Sequence, residues 1–264
     1  MRELAVRVAE RAADIHREGR ERGFSVSEKT SAADLVTEVD RSAERAIVEG
    51  IVAQRPDDAI LGEEGTDRAG STGVRWVIDP LDGTANYVRG NPGYCVCVGV
   101  EIDGVATIGI VVDSRGIRTE GVLGLGAVRA GRPVRPSDRS DLAAAVLATG
   151  FGYHPEQRRR QARAVSLVLP RIADIRRTGS AAWDLVAAAT GEVDAYFEVG
   201  LAPWDLCAGR AIVEAGGGIV RTFPQPEDDE LVVASPPQLL DGLIELLAEA
   251  GLTTTGPPVA PRTS

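Results

Sequence analysis

The chain has 264 residues, 44% of them hydrophobic, enough for one large or two small domains with a substantial core. Its formal charge of −10 argues against a nucleic-acid-binding surface, and three cysteines are too few for a disulfide framework. No apolar stretch is long enough to span a bilayer.

Leu4, Val8, Ala12 and Ile15 have helical spacing in a segment interrupted by charge throughout, which predicts an amphipathic helix rather than a signal peptide and a cytoplasmic protein. Residues 24–33 read as a polar loop containing Lys29. Val39, Ala43, Ile47 and Ile51 mark a second helix that Arg55-Pro56 ends, and Ala59-Ile60-Leu61 is a short strand leading to Glu63 and Glu64. Trp76-Val77-Ile78 is a buried strand end, followed at once by Asp79, Pro80, Leu81, Asp82, Gly83 and Thr84. Paired acids at a strand end can aim hard oxygen ligands at one point, and the Gly83 and Thr84 amides could open a helix where a phosphate binds. The same string also reads as an Asp-Pro turn before a capped helix.

Residues 94–102 and 105–112, joined at Asp103-Gly104, form a predicted hairpin in which Cys95 and Cys97 share one face as small hydrophobes. Residues 132–140 are a polar connector, taken as the boundary between an N-terminal half (1–137) and a C-terminal half (138–250). The second half alternates strands near 144–149, 172–176, 194–198 and 231–234 with helices near 156–169, 181–189 and 237–250. Another helix starts at Asp205, read as its N-cap, and stops at Gly216-Gly217. Residues 251–264 lack periodicity and are expected to be a disordered tail.

His16 and His154 stand in no ligand motif, and both read as solvated surface residues. A cysteine phosphatase would need a thiolate loop closing on an arginine, which no cysteine here has. A haloacid-dehalogenase-type phosphatase would need a nucleophilic Asp where Pro80 stands. Hydrolysis by water on divalent metal ions remains.

Four segments carry a resemblance over roughly residues 4–218: Asp34-Leu35-Val36-Thr37-Glu38-Val39-Asp40, Gly62-Glu63-Glu64-Gly65, Asp79-Pro80-Leu81-Asp82-Gly83-Thr84 and Pro203-Trp204-Asp205. In order and separation they resemble the inositol monophosphatase family. The resemblance implies an α+β fold, the layered αβαβα sandwich shared with fructose-1,6-bisphosphatase, and lithium-sensitive, Mg²⁺-dependent hydrolysis with two or three ions per site. It implies Glu63, Asp79 and the Leu81 carbonyl on a first metal, with Asp79 bridging to a second held by Asp82 and Asp205. Thr84, hydrogen-bonded to Asp40, would activate the water, with Glu64 and Lys29 ordering the surroundings, while Asp34 reads equally well as a turn acid. Gly83 and Thr84 would hold the phosphate. Gly179 and Ala181 would face a sugar ring whose hydroxyls donate to Glu198 and Asp82. The implied substrate is an inositol or sugar phosphate, and the implied assembly a homodimer. Relatives acting on histidinol phosphate, fructose 1,6-bisphosphate or adenosine 3′,5′-bisphosphate remain open, as does a partner role in transcription. Trp183 departs from the smaller residues usual in the family.

Overall fold

A computed structural model describes residues 1–28, 35–225 and 229–252. Lys29 and Asp34 lie outside the described residues, as do residues 253–264 of the expected tail.

Helices α1 (Arg2–Arg22) and α2 (Glu38–Val52) follow the spacing of their apolar residues, and Thr37 caps α2. They cover one face of an eight-stranded sheet made of β3 (Ala59–Gly62), β4 (Asp67–Arg68), β5 (Val74–Asp82), β6 (Cys95–Ile102), β7 (Val105–Asp113), β8 (Arg118–Val122), β9 (Gly126–Arg129) and β10 (Arg132–Val134). The strand order is β10-β9-β8-β7-β6-β5-β3-β4. Val96, Val98 and Val100 of β6 meet α1 and α2, whereas Cys95 and Cys97 point the other way, as the alternation of a strand requires.

That second face packs on α5 (Ala181–Thr190) and α6 (Pro203–Ala215). Below these helices lies a five-stranded sheet, ordered β12 (Asp174–Arg176), β11 (Val146–Thr149), β13 (Ala195–Val199), β15 (Glu230–Ser235), β14 (Ile219–Pro224). Its far face is covered by α4 (Pro155–Val168) and α7 (Pro237–Glu249). The five layers are therefore helix, sheet, helix, sheet, helix.

A row of glycines sets how closely α6 approaches the large sheet. Gly99, Gly109 and Gly121 are neighbours across β6, β7 and β8. A Cβ at Gly109 would stand 2.1 Å from the Ala208 carbonyl oxygen, and one at Gly99 would stand 2.4 Å from Cys207 Sγ. Only hydrogen fits there, so helix backbone rests nearly on strand backbone.

Several local expectations are corrected. The polar loop after α1 contains β1 (Val26–Glu28), which pairs antiparallel with β2 (Leu35–Thr37). Arg132–Val134 of the presumed connector pairs with β9. The helix that could open at Gly83 and Thr84 is the short α3 (Thr84–Arg89). β14 was not expected at all, because Gly216–Gly218 and the polar Arg221 and Thr222 masked its strand pattern. Leu252, assigned to the tail, is buried against the α7 cluster.

Candidate metal centre and active site

The acids of the third motif sit where β5 stops being regular. Asp79 pairs with Cys97 and Asp82 with Cys95, so three steps along β5 match two along β6. Pro80 and Leu81 form the resulting bulge, which turns the chain locally. The predicted strand end at Ile78 is thus four residues early, and the acids belong to the strand's distorted tip. Leu81 donates its N–H to Asp79 Oδ1 at 2.9 Å. Gly83 follows in the left-handed region (φ 88°), and a Cβ there would lie 2.5 Å from the Gly93 carbonyl oxygen. The chain can then enter α3 with Thr84 as its first residue.

Asp40 approaches from α2. Its Oδ2 accepts from the Thr37 N–H at 2.8 Å and the Thr37 hydroxyl at 2.5 Å, closing the helix cap. Its Oδ1 is the acceptor for Thr84 Oγ1 at 2.9 Å. Thr84 Oγ1 lies equally 2.9 Å from the Leu81 carbonyl oxygen. A hydroxyl has one proton, so it serves one of these acceptors at a time. Burial raises the Asp40 pKa, and the bonds from Thr37 and Thr84 oppose that rise.

Glu63 and Glu64 lie in the turn between β3 and β4. That turn is held by a residue the sequence reading passed over. Glu44 of α2 is buried and accepts from the Glu64 N–H (2.8 Å), the Thr66 N–H (3.1 Å) and the Thr66 hydroxyl (2.6 Å). Gly62 leaves room for it, since a Cβ there would be 2.6 Å from Glu44 Oε2. The available signal was an acid among Ala43, Ile47 and Ile51 on the apolar face of a predicted helix.

Asp205 is the third residue of α6 and not its N-cap. The helix starts at Pro203, and the Asp205 carboxylate accepts from the N–H of Ala202, the actual cap residue, at 2.8 Å. Asp82 is held from α5: its Oδ2 accepts from Ser180 Oγ at 2.7 Å and from the Ala182 N–H at 2.8 Å. Ser180 is itself the N-cap of α5.

These carboxylates act on one another. Asp79 and Asp205 are pushed well above the usual carboxylate range, first by burial and then by neighbouring acids; those acting on Asp79 are Glu63, Asp82 and Asp205. Burial, with Glu63 adding to it, raises Asp82 to about 6 against the bonds from α5. Among the described residues, the one group of acid, histidine and cysteine ligand atoms lying within 4.8 Å of one another is Asp82, Cys95 and Cys97. Glu63, Asp79 and Asp205 act electrostatically in the same neighbourhood, and carboxylates with a backbone carbonyl are the donor types that hard divalent cations take, whose charge would reverse these shifts.

The expected ring-facing residues border the same acids. Gly179 (φ 93°) precedes Ser180, and Ala181 is the first residue of α5. Asn86 ties this stretch to the opposite wall, donating to the carbonyl oxygens of Gly93 at 2.7 Å and Thr178 at 3.0 Å. Glu198 accepts from the Tyr196 hydroxyl at 2.6 Å, two positions back on the same face of β13. Burial, then the charges of Asp184 and Asp82, lift Glu198 to about 7. Gly150 clears its path, because a Cβ there would come within 2.0 Å of Glu198 Oε2. Trp183 points instead toward the turn after β7, where the Arg115 guanidinium lies 5.0 Å from its ring centre.

His16 is the clearest departure from expectation. It is buried at 3% exposure, and its Nε2 lies 2.8 Å from the Pro80 carbonyl oxygen. His154, by contrast, is exposed as expected. Cys95 and Cys97 are buried, with Cys95 Sγ 4.0 Å from Asp82 Oδ2.

Residues 1–252 match the sequence profile of the inositol monophosphatase family. The chain is 38% identical to the inositol-1-monophosphatase SuhB of Mycobacterium tuberculosis over 270 residues, covering 94% of this chain and 93% of that one. It is 43% identical over 199 residues to the Nus factor SuhB of Xylella fastidiosa, covering 73% and 70%. In three dimensions it resembles the extragenic suppressor protein suhB of Bartonella henselae, with a TM-score of 0.85, 29% identity and 94% and 97% of the two chains covered. It also resembles the M. tuberculosis SuhB structure, with a TM-score of 0.81, 34% identity and coverage of 96% and 97%. The chain belongs to the inositol monophosphatase family of phosphomonoester hydrolases.

Proposed function

We propose that this protein is a Mg²⁺-dependent phosphatase of inositol 1-phosphate or a closely related polyol phosphate. What supports this reading above all is the family match over residues 1–252, together with Asp79 and Asp205 being acids whose ionisation is opposed by burial and by the charges of Glu63 and Asp82. In the proposed assignment, Glu63, Asp79 and the Leu81 carbonyl hold one ion, and Asp79, Asp82 and Asp205 hold another. Ions held there would supply the positive charge that offsets carboxylates and phosphate and would lower the pKa of a water molecule.

The chain's own groups do the rest. Thr84 Oγ1 takes the proton of the attacking water while its own proton passes to Asp40 Oδ1, 2.9 Å away. With the Leu81 carbonyl engaged as a ligand, Asp40 is the acceptor left for that proton. The Gly83 and Thr84 amides receive phosphate oxygens, and Glu198 with Asp82 accepts from ring hydroxyls. Glu64 would order the surrounding turn in this scheme, the role that the family resemblance also implies for Lys29.

A phosphate-release screen over inositol 1-phosphate, sugar phosphates, histidinol phosphate and nucleotide bisphosphates tests the reading. The expected result is turnover of inositol 1-phosphate that chelator abolishes and that Asp79→Asn nearly abolishes. Undiminished turnover in that variant would overturn the metal assignment. A second reading, in which the protein also binds transcription complexes, is supported by relatives named Nus factor SuhB. A pull-down with wild-type protein and Asp79→Asn separates that role from catalysis.

A further inference from the structure

The bulge in β5 leaves Pro80 and Leu81 outside the regular ladder, so the segment that aims the acids has to be held by other means. Proline has no N–H to give. Leu81 sends its N–H to Asp79, and its carbonyl faces Thr84. The Pro80 carbonyl, between the two, faces His16 of α1 across 64 residues of sequence.

A carbonyl oxygen only accepts, so this contact fixes the histidine tautomer: Nε2 carries the proton. Burial keeps the ring neutral by lowering its pKa to about 4. The ring packs against two aromatic side chains that also touch each other, with centroids 5.7 Å from Tyr87 and 5.9 Å from Tyr94, and 5.1 Å between the two tyrosines. Tyr87 lies in α3, three residues after Thr84, and its hydroxyl donates to the carbonyl of His16 itself at 2.7 Å. Helix α1 is thereby pinned by the element that follows the bulge, and it pins the bulge in return.

We propose that His16 is a positioning residue for the metal segment: its Nε2–H restrains the Pro80 carbonyl and thereby fixes where Asp79, the Leu81 carbonyl and Asp82 point. The inference rests on the assignment of those three groups as metal ligands. A purely structural histidine would contribute packing and stability, and any residue of similar volume would affect metal binding no more than it affects folding. A positioning histidine requires a neutral donor at the Nε2 location. Glutamine can place an N–H near that location, whereas asparagine is too short to reach it.

The test is Mn²⁺ binding to the full-length protein, followed by the electron paramagnetic resonance signal of free Mn²⁺, in wild type, His16→Gln and His16→Asn. Thermal melts of the metal-free proteins monitor folding, and the Mg²⁺ concentration for half-maximal phosphate release is measured in parallel. His16→Gln should bind Mn²⁺ within about threefold of wild type, and His16→Asn about tenfold more weakly, the scale of one hydrogen bond. If His16→Asn does not fold, His16→Met fills the volume without a donor and takes its place. Equal weakening in the glutamine and donor-free variants, or no weakening in either, overturns the positioning role alone. A wild-type protein with no saturable Mn²⁺ binding overturns the metal assignment and this inference with it.

Discussion

The Thr84 hydroxyl stands within hydrogen-bond distance of Asp40 Oδ1 at 2.9 Å, while the other oxygen of the same carboxylate closes the cap of α2. One side chain therefore serves helix and hydroxyl at once, and removing Thr84 tests the second role without touching the first. Thr84→Ala should lower kcat by about 100-fold, the scale of a lost general base. Its Mn²⁺ affinity should stay near that of wild type. An unchanged kcat means that the water is activated elsewhere.

Glu44 offers a prediction about stability. Its carboxylate receives three donors from the Glu64–Thr66 stretch, and it is buried. Glu44→Ala strands those donors and should destabilise the fold by about 3 kcal/mol, measured by urea unfolding. Because the same turn carries Glu63, the half-saturating Mg²⁺ concentration should rise as well. A loss below about 0.5 kcal/mol, the range of ordinary surface changes, would mean that water replaces the carboxylate.

The acid cluster makes stability depend on pH in a defined direction. A carboxyl group that is harder to ionise folded than unfolded binds protons on folding, so its contribution falls as pH rises above about 4, the unfolded value. For Asp82 this loss runs up to about 6. Asp79 and Asp205 shift the same way and carry the loss further. Mg²⁺ should therefore raise the melting temperature more at pH 8 than at about pH 5, the midpoint of the Asp82 window, because fewer protons compete for the ligands. A metal-induced shift of equal size at both pH values would place the ions away from this cluster.

Glu198 tests selectivity. Its Oε2 already accepts from Tyr196, which leaves the carboxylate with further lone pairs for a substrate hydroxyl. Glu198→Ala should cost about 1.5–3 kcal/mol in kcat/KM on inositol 1-phosphate, the range for charged hydrogen bonds. An aryl phosphate, with no ring hydroxyl to offer, should lose much less. Equal losses on both substrates assign Glu198 to support of the fold.

Periodicity was enough for α1, α2 and the β6–β7 hairpin, because each carries its apolar residues at the spacing of its element. The Asp79–Thr84 string was legible as a strand tip, although its bulge was not: register depends on what the partner strand does. His16 was misread for a related reason. It flanks the apolar stripe of α1 beside Ile15, and its burial depends on Tyr87 and Tyr94, more than seventy residues along the chain. Asp205 was found by its motif but given the wrong place in its helix, since Pro203 suits the first helical position and moves the cap back to Ala202. Asn86 and Ser180 bind across the site through single hydrogen bonds, and such pairings leave no pattern in a lone sequence.

The glycines beneath α6 bear on how this site can vary. The helix that presents Asp205 rests on the sheet at Gly99, Gly109 and Gly121, with its main chain over Gly109 and Gly121 and the Cys207 side chain nearest Gly99. Its height above the acids of β5 is therefore set by the sheet's own backbone, which hardly changes when apolar residues elsewhere are exchanged. The protein can repack much of its interior and keep the fourth carboxylate in register with the other three. A single methyl group added at Gly109 would lift the helix and separate them.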